Sequence, residues 1–92
     1  FAKVVRDIAV TLGRDQAVGP MLAAIRASGG PLLRNVVVFD VYEGDRIGID
    51  LKSVAFSLSF VADRTLVDDE VARAVSETVT SLSTLFGAIL RA

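Results

Sequence analysis

The chain has 92 residues, with ten basic and eleven acidic side chains and no histidine, cysteine or tryptophan. Without histidine or cysteine it has no disulfide, no thiolate nucleophile, no imidazole base, no iron–sulfur cluster and no thiolate or imidazole zinc site. A 52% hydrophobic fraction predicts a packed core, and a net charge of −1 is unlike that of an autonomous nucleic-acid-binding protein. Composition therefore predicts one soluble, non-catalytic module without a metal site.

No segment is typical of a targeting signal or a membrane span. The longest apolar run is Met21 to Ile25, far short of the roughly 20 residues that cross a bilayer. Strand-like sequence begins almost directly after Phe1, which is not a methionine. We therefore expect residues 1–92 to be a single domain excised from a larger protein, and no contact with a membrane.

The first half of the chain predicts a strand, a helix and a second strand. Residues 5–12 alternate in polarity and are rich in β-branched side chains, which favours a strand. A helix is expected to begin near Gly19-Pro20 and to end at Gly29-Gly30-Pro31. Residues 32–42 predict the second strand. The helix carries an apolar stripe with helical spacing, formed by Val18, Met21, Leu22 and Ile25.

The second half predicts a further strand, a helix and a short last strand. A glycine-containing loop over residues 43–51 leads to a third strand at residues 52–62. A second helix is expected from Asp68 to Gly87, followed by a strand at residues 88–91. The order βαββαβ predicts an α+β, ferredoxin-like two-layer sandwich, with two helices on one face of a four-stranded antiparallel sheet. The other face is left open, and function is expected there.

Alternation along each strand assigns side chains to the two faces. The large residues of the third strand are expected to face the helices, together with Val37, Phe39 and Val41 of the second strand and Ile8, Val10 and Leu12 of the first. A bulge would reverse this assignment within a strand. The predicted open face then consists of Asp7, Ala9, Thr11, Val36, Val38, Asp40, Tyr42, Ser53, Ala55, Ser57 and Ser59.

Most side chains of this predicted face are short, and it carries one aromatic ring with a carboxylate close to it. A nucleic-acid base stacked on an aromatic side chain contributes roughly 1–3 kcal/mol, so Tyr42 is a candidate platform. The alternative is an ordinary solvated sheet face, on which Asp40 is only an acidic residue near the end of a strand.

Several phrases occur in a recognisable order: Phe39-Asp40-Val41-Tyr42-Glu43-Gly44, Lys52-Ser53-Val54-Ala55-Phe56 and Arg64-Thr65-Leu66. With Arg6-Asp7-Ile8-Ala9, Gly29-Gly30-Pro31-Leu32-Leu33 and the final Gly87-Ala88 and Leu90-Arg91, they cover essentially the whole chain. The chain thereby resembles the ferredoxin-fold anticodon-binding family, the C-terminal domain of bacterial phenylalanyl-tRNA synthetase β subunits. The FDVYEG phrase followed by KS-x-A-F is the most specific part of the resemblance.

The resemblance implies a cytoplasmic module that recognises the anticodon loop of tRNA-Phe, whose first anticodon base is guanine. The positions that match the family's contacts are Ala9, Asp40, Tyr42 and Ser53, and all four fall on the predicted open face. Asp40 would accept hydrogen bonds from the guanine Watson–Crick edge, Tyr42 would stack, Ser53 would offer a hydroxyl, and Ala9 would permit close approach.

The resemblance also implies binding partners, and it implies that catalysis takes place outside this chain. The partners are the tRNA-Phe anticodon stem-loop, the rest of the β subunit and the α subunit, which form a heterotetramer in the family. ATP and Mg²⁺ serve the parent phenylalanine–tRNA ligase at another site, so we expect no catalytic residue and no cofactor here. The candidate phosphate contacts are Lys3, Arg46, Lys52, Arg64 and Arg91.

The chain departs from the family pattern at three places. Asp50-Leu51 stands where the family often has glycine and a second basic residue, and Val5 replaces a residue that is commonly basic. Val67 stands where a threonine often caps the second helix, so the cap is expected to shift to Asp68.

Two other functions fit the same predicted fold. One is a regulatory or dimerisation module that binds a small molecule or pairs its sheet with another. The other is an acyl-phosphate hydrolase, which would need an anion-binding arginine loop and an asparagine. The chain's one asparagine, Asn35, is assigned by alternation to the core side, which disfavours the hydrolase.

Overall fold

The computed structural model describes residues 2–91; Phe1 and Ala92, the two ends of the predicted domain, lie outside them. Over residues 2–91 the elements are β1 (Ala2–Gly13), α1 (Val18–Ser28), β2 (Leu33–Tyr42), β3 (Leu51–Ala62), α2 (Asp68–Phe86) and β4 (Ile89–Leu90). The strands form one antiparallel sheet in the order β2-β3-β1-β4. This confirms the predicted α+β, ferredoxin-like fold.

The core lies between the sheet and the two helices. Met21 and Ile25 of α1 and Val71 and Leu82 of α2 are buried against it. From the sheet, β3 contributes four residues with no exposed surface: Val54, Phe56, Leu58 and Phe60. Neither helix of the described part of the chain is long and apolar enough to span a bilayer.

The strand bounds differ from the prediction at both ends of the sheet. β1 begins at Ala2 rather than at Val5, because Ala2 and Val4 pair with Ala62 and Phe60 at the far end of β3. β4 covers two residues instead of four and pairs only with Val10 and Thr11 of β1 within the described chain.

The second helix is held at its first turn by Glu70 rather than by Asp68. Val67 is the N-cap residue, and its side chain has no oxygen to accept a hydrogen bond. The Glu70 carboxylate instead accepts from the Val67 N–H at 2.9 Å and from both terminal nitrogens of Arg64 at 2.7 and 3.0 Å. These bonds hold the pKa of Glu70 at about 2, below its ordinary value of 4.5.

The β2 strand is the part of the fold where the face prediction was wrong. Val36 is buried and packs in the core, and Val38 is half-buried against it, whereas Val37 and Phe39 are exposed. The register explains the reversal: Val36 and Val38 lie opposite Leu58 and Phe56, both on the helix side. Asn35, assigned to the core side, is likewise exposed and lies opposite Ser59 on the open side.

A register shift between Val38 and Asp40 restores the predicted alternation. Phe39 is the extra residue of this irregularity, so Asp40 lies opposite Ala55 and Tyr42 opposite Ser53. Asp40 and Tyr42 are therefore on the open face, as predicted. The prediction failed for the residues before the bulge because no feature of the run Val36–Phe39 distinguishes its two faces.

Candidate nucleic-acid interface

The face of the sheet opposite the helices is built on small residues of the two central strands. In β3 the half-buried Ala55, Ser57 and Ser59 alternate with the fully buried core residues. In β1, Ala9 and Thr11 alternate in the same way with Ile8, Val10 and Leu12. The predicted faces of β1 and β3 are confirmed, and the floor of the open face is correspondingly low.

The four positions carried over from the family lie in two neighbouring cross-strand rows. Asp40, Ala55 and Ala9 lie opposite one another in the first row, and Tyr42, Ser53 and Thr11 in the second. Adjacent strands are about 4.8 Å apart, so Ala9 lies about 10 Å across the floor from Asp40. The sheet therefore brings the four residues onto one surface patch.

Asp40 and Tyr42 stand at the β2 edge of this floor and face water. Asp40 is exposed, and Tyr42 keeps 43% of its surface exposed. An exposed carboxylate has free lone pairs to accept hydrogen bonds from a ligand, and an exposed ring has a face on which a planar group stacks.

Gly44 sets how closely the loop after β2 approaches the Tyr42 ring. A Cβ built on Gly44 would lie 3.1 Å from the Tyr42 Oη and 3.3 Å from its Cζ, closer than side chains normally pack. The loop folds back on itself through hydrogen bonds from the Ile47 and Gly48 N–H groups to the Gly44 carbonyl. The ring thus lies against backbone, which limits its movement.

The opposite margin of the floor is formed by Arg91, which follows β4. Its backbone N–H donates to the Ala9 carbonyl at 2.7 Å, and its Nη1 donates to the Ser53 Oγ at 3.2 Å. Ser53 is only 4% exposed, so its hydroxyl lies beneath this guanidinium. Arg91, one of the predicted phosphate contacts, therefore places a positive charge across the floor from the Asp40 carboxylate.

Within the described chain, none of the other four candidate phosphate contacts has a side-chain hydrogen bond to a residue of this patch. The Lys52 ammonium is buried and donates to the Gln16 carbonyl, and its partner Leu12 faces the helices. Arg64 binds Glu70 at the start of α2. Lys3 is exposed at the far end of β1, about 20 Å from Ala9, and Arg46 is exposed in the loop after β2.

Phe39 is an aromatic residue of the open face that the sequence prediction missed. It follows Val38, which faces the core, and it precedes Asp40, which faces water, so the bulge leaves both Phe39 and Asp40 on the open side. Its side chain is 56% exposed. Alternation alone assigned it to the core, and its position within the bulge was the missing information.

Comparisons with known proteins agree with the fold and the motifs. The model of the ferredoxin-fold anticodon binding domain family matches residues 1–91. The chain is 53% identical over 91 residues to the phenylalanine–tRNA ligase beta subunit of Salinibacter ruber, and 42% identical over 92 residues to that of Geobacillus kaustophilus. Each alignment covers 99% of this chain but only 11% of the relative.

A third relative, from Methylococcus capsulatus, bears the same name and is 44% identical over 92 residues, which are 12% of its length. The family match extends over nearly the whole chain, and the elements follow one another in the predicted order βαββαβ. The resemblance noted in the sequence is thereby confirmed: the chain belongs to the ferredoxin-fold anticodon binding domain family.

Proposed function

We propose that residues 1–92 are the C-terminal anticodon-binding domain of a cytoplasmic phenylalanine–tRNA ligase β subunit, and that the open sheet face binds the anticodon loop of tRNA-Phe. The observation that carries the proposal is the placement of Ala9, Asp40, Tyr42 and Ser53 in two adjacent rows of one exposed face. Sequence-specific RNA recognition acts mostly on unpaired bases, which stack on aromatic rings and hydrogen-bond through their edges.

The residues have distinct roles in this proposal. The Asp40 carboxylate accepts hydrogen bonds from N1–H and the N2 amino group of guanine, the first anticodon base, while the Tyr42 ring stacks on it. Ala9 and Ala55 have no side chain beyond Cβ to block a flat base. The Ser53 hydroxyl lies beneath Arg91 and accepts a hydrogen bond from it, so its own O–H becomes a donor to RNA when the Arg91 side chain moves aside.

Arg91 supplies the positive charge that contacts phosphate at the patch. Of the five basic residues considered for phosphate contact, it is the one that hydrogen-bonds to a residue of the patch within the described chain. A chain of net charge −1 binds RNA weakly through bulk electrostatics. We therefore assign most phosphate contacts to the rest of the β subunit and to the α subunit of a heterotetramer, where ATP, Mg²⁺ and phenylalanine are also bound.

The test is a titration of the 92-residue chain with a tRNA-Phe anticodon stem-loop at low salt. Tyr42→Ala should weaken binding by roughly 1–3 kcal/mol because the stacking platform is lost. Asp40→Asn should cost about 1.5–3 kcal/mol, since a charged acceptor is replaced by an amide. A stem-loop with adenine as the first anticodon base should bind less well to the wild type, and Asp40→Asn should reduce this preference.

Asp7→Asn is the matched control for Asp40→Asn. Asp7 is exposed on the same face, one row beyond Ala9, opposite Ser57. It undergoes the same change of charge, so affinity should stay equal or rise slightly as repulsion of phosphate falls. Equal effects of the two substitutions, or equal binding of guanine and adenine stem-loops, would contradict the role of Asp40. A concentration-dependent dimer without RNA binding would favour the regulatory alternative.

A further inference from the structure

Phe39 is exposed on the open face but has no part in the contacts assigned above. The register shift between Val38 and Asp40 makes it the extra residue of β2 and leaves 56% of its surface exposed. It is absent from the set of described residues that pack in or against the core. An exposed phenyl ring leaves apolar surface in water that a partner would cover with a gain in free energy.

The residues beside Phe39 form a further cross-strand row next to the patch of Ala9, Asp40, Tyr42 and Ser53. The neighbouring row holds Val37, which is 48% exposed, then the half-buried Ser57 and the exposed Asp7. This row adjoins the row of Asp40, Ala55 and Ala9 on the side away from Tyr42. The low floor therefore continues past the patch along the strands.

The distance along β2 separates the two rings. Phe39 precedes Tyr42 by three residues, which is about 10 Å of extended strand. Asp40 lies between them. A base that stacks on Tyr42 and hydrogen-bonds to Asp40 leaves the Phe39 ring free for a different nucleotide.

We propose that Phe39 is a second stacking platform, which binds the nucleotide adjacent to the one held by Asp40 and Tyr42. The inference rests on the proposed function, because it takes single-stranded RNA as the occupant of the open face. The RNA-recognition motif, which is also built on a four-stranded sheet, stacks two or three bases on the aromatic residues of that sheet. Since every base has a π-face, Phe39 adds affinity without selecting a base, whereas Asp40 selects guanine.

The experiment uses stem-loops that carry 2-aminopurine at one loop position on either side of the first anticodon base. Its fluorescence is quenched on stacking, so binding to the wild-type chain should quench one of these two positions. Phe39→Ala should abolish this quenching and weaken binding by roughly 5- to 150-fold, the equivalent of one lost stacked base. The ratio of guanine to adenine binding should not change.

Two further variants and one control separate stacking from folding. Phe39→Leu keeps apolar volume but removes the π-face and should still weaken binding, whereas Phe39→Trp should bind at least as tightly as the wild type. Leu85→Ala removes an apolar side chain of similar exposure from α2, on the other side of the sheet, and should leave affinity unchanged. Circular dichroism verifies that each variant is folded.

The outcomes distinguish this inference from the proposed function. If Tyr42→Ala weakens binding while Phe39→Ala and Phe39→Leu bind as the wild type does, the second platform is overturned and the proposed function stands. If the wild-type chain does not bind the stem-loop, or if Tyr42→Ala has no effect, the proposed function itself is overturned. Weaker binding of both Tyr42→Ala and Phe39→Ala, with the quenching at saturation lost in Phe39→Ala but retained in Tyr42→Ala, supports two platforms.

Discussion

The two faces of the sheet differ in what their side chains do, although the same strands form both. On the helix side, Phe56 and Phe60 of β3 are fully buried, whereas the alternate residues Ser57 and Ser59 lie half-buried on the open side. Burial of a large apolar side chain stabilises the fold by roughly 1.5–3 kcal/mol, and a small exposed one contributes little. The helix side therefore stabilises the fold, which leaves the open side free to meet a ligand.

The edge strand β2 contributes side chains first to the core and then to the open face. Its first half follows the alternation of β3 and places Val36 in the core, while the bulge at Phe39 shifts the second half by one residue. Without that extra residue, the alternation that buries Val36 and Val38 would turn Asp40 toward the helices. Because of the bulge, Val36 can lie in the core while Asp40 and Tyr42 of the same strand lie on the open face.

The largest difference in stability is expected between alanine substitutions at two phenylalanines in neighbouring strands. Phe56→Ala removes a fully buried ring and should lower the free energy of unfolding by about 3–5 kcal/mol, because a cavity remains. Phe39→Ala removes an exposed ring and should change it by about 0.5 kcal/mol or less. Urea denaturation of both variants measures the difference; similar losses would mean that Phe39 packs in the core.

A smaller effect sharpens the comparison within β2 itself. Val36→Ala should cost about 2 kcal/mol because Val36 is buried, whereas Val37→Ala, one residue further along, should cost about 0.5 kcal/mol or less. Simple alternation from the sequence predicts the opposite order. Thermal or urea unfolding of the two variants therefore decides directly which register β2 adopts.

The smallest effect concerns the ion pair at the start of α2. The pKa of Glu70 is about 2 in the folded chain and near 4.5 when unfolded, so its contribution to stability is present above pH 4.5. It is lost as the pH falls from 4.5 toward 2, because the unfolded chain then binds the proton more readily. The unfolding midpoints of wild type and Glu70→Gln should differ at pH 6 and converge near pH 2.

Arg64→Gln provides the control for this pH dependence. Arg64 is the main cause of the low pKa of Glu70, so its removal should move that pKa toward 4.5. The unfolding midpoint of Arg64→Gln should then depend less on pH between 4.5 and 2 than that of the wild type. A difference between wild type and Glu70→Gln that stayed constant from pH 6 to pH 2 would show that the ionised carboxylate has no stabilising contact.

Much of the fold follows from local patterns in the sequence. The alternation of large and small residues in β3 predicts its buried face, and the glycines at 29–30 and 87 mark the helix ends. Gly87 adopts a φ of 68°, which a residue without Cβ reaches at little cost. For Asp40 and Tyr42, the resemblance to the family and the alternation predicted the same face.

What was not predictable depends on contacts between elements. The four apolar residues Val36–Phe39 suit either register, so the bulge is set by pairing with β3 and by packing against the helices. The approach of Arg91 to Ser53 requires β4 to pair with β1, which only the folded sheet shows. Glu70 replaces the predicted cap because Arg64 folds back on it.

The most direct test of the open face as an RNA-binding surface is a ¹H–¹⁵N NMR titration of the chain with the tRNA-Phe anticodon stem-loop. We predict that the largest amide shifts lie in the central rows of the open face, at Ala9, Tyr42, Ser53 and Ala55, while the helix side changes little. Shifts concentrated in the groove between Pro31 and Arg73 on the helix side, or no shifts at all, would contradict the account.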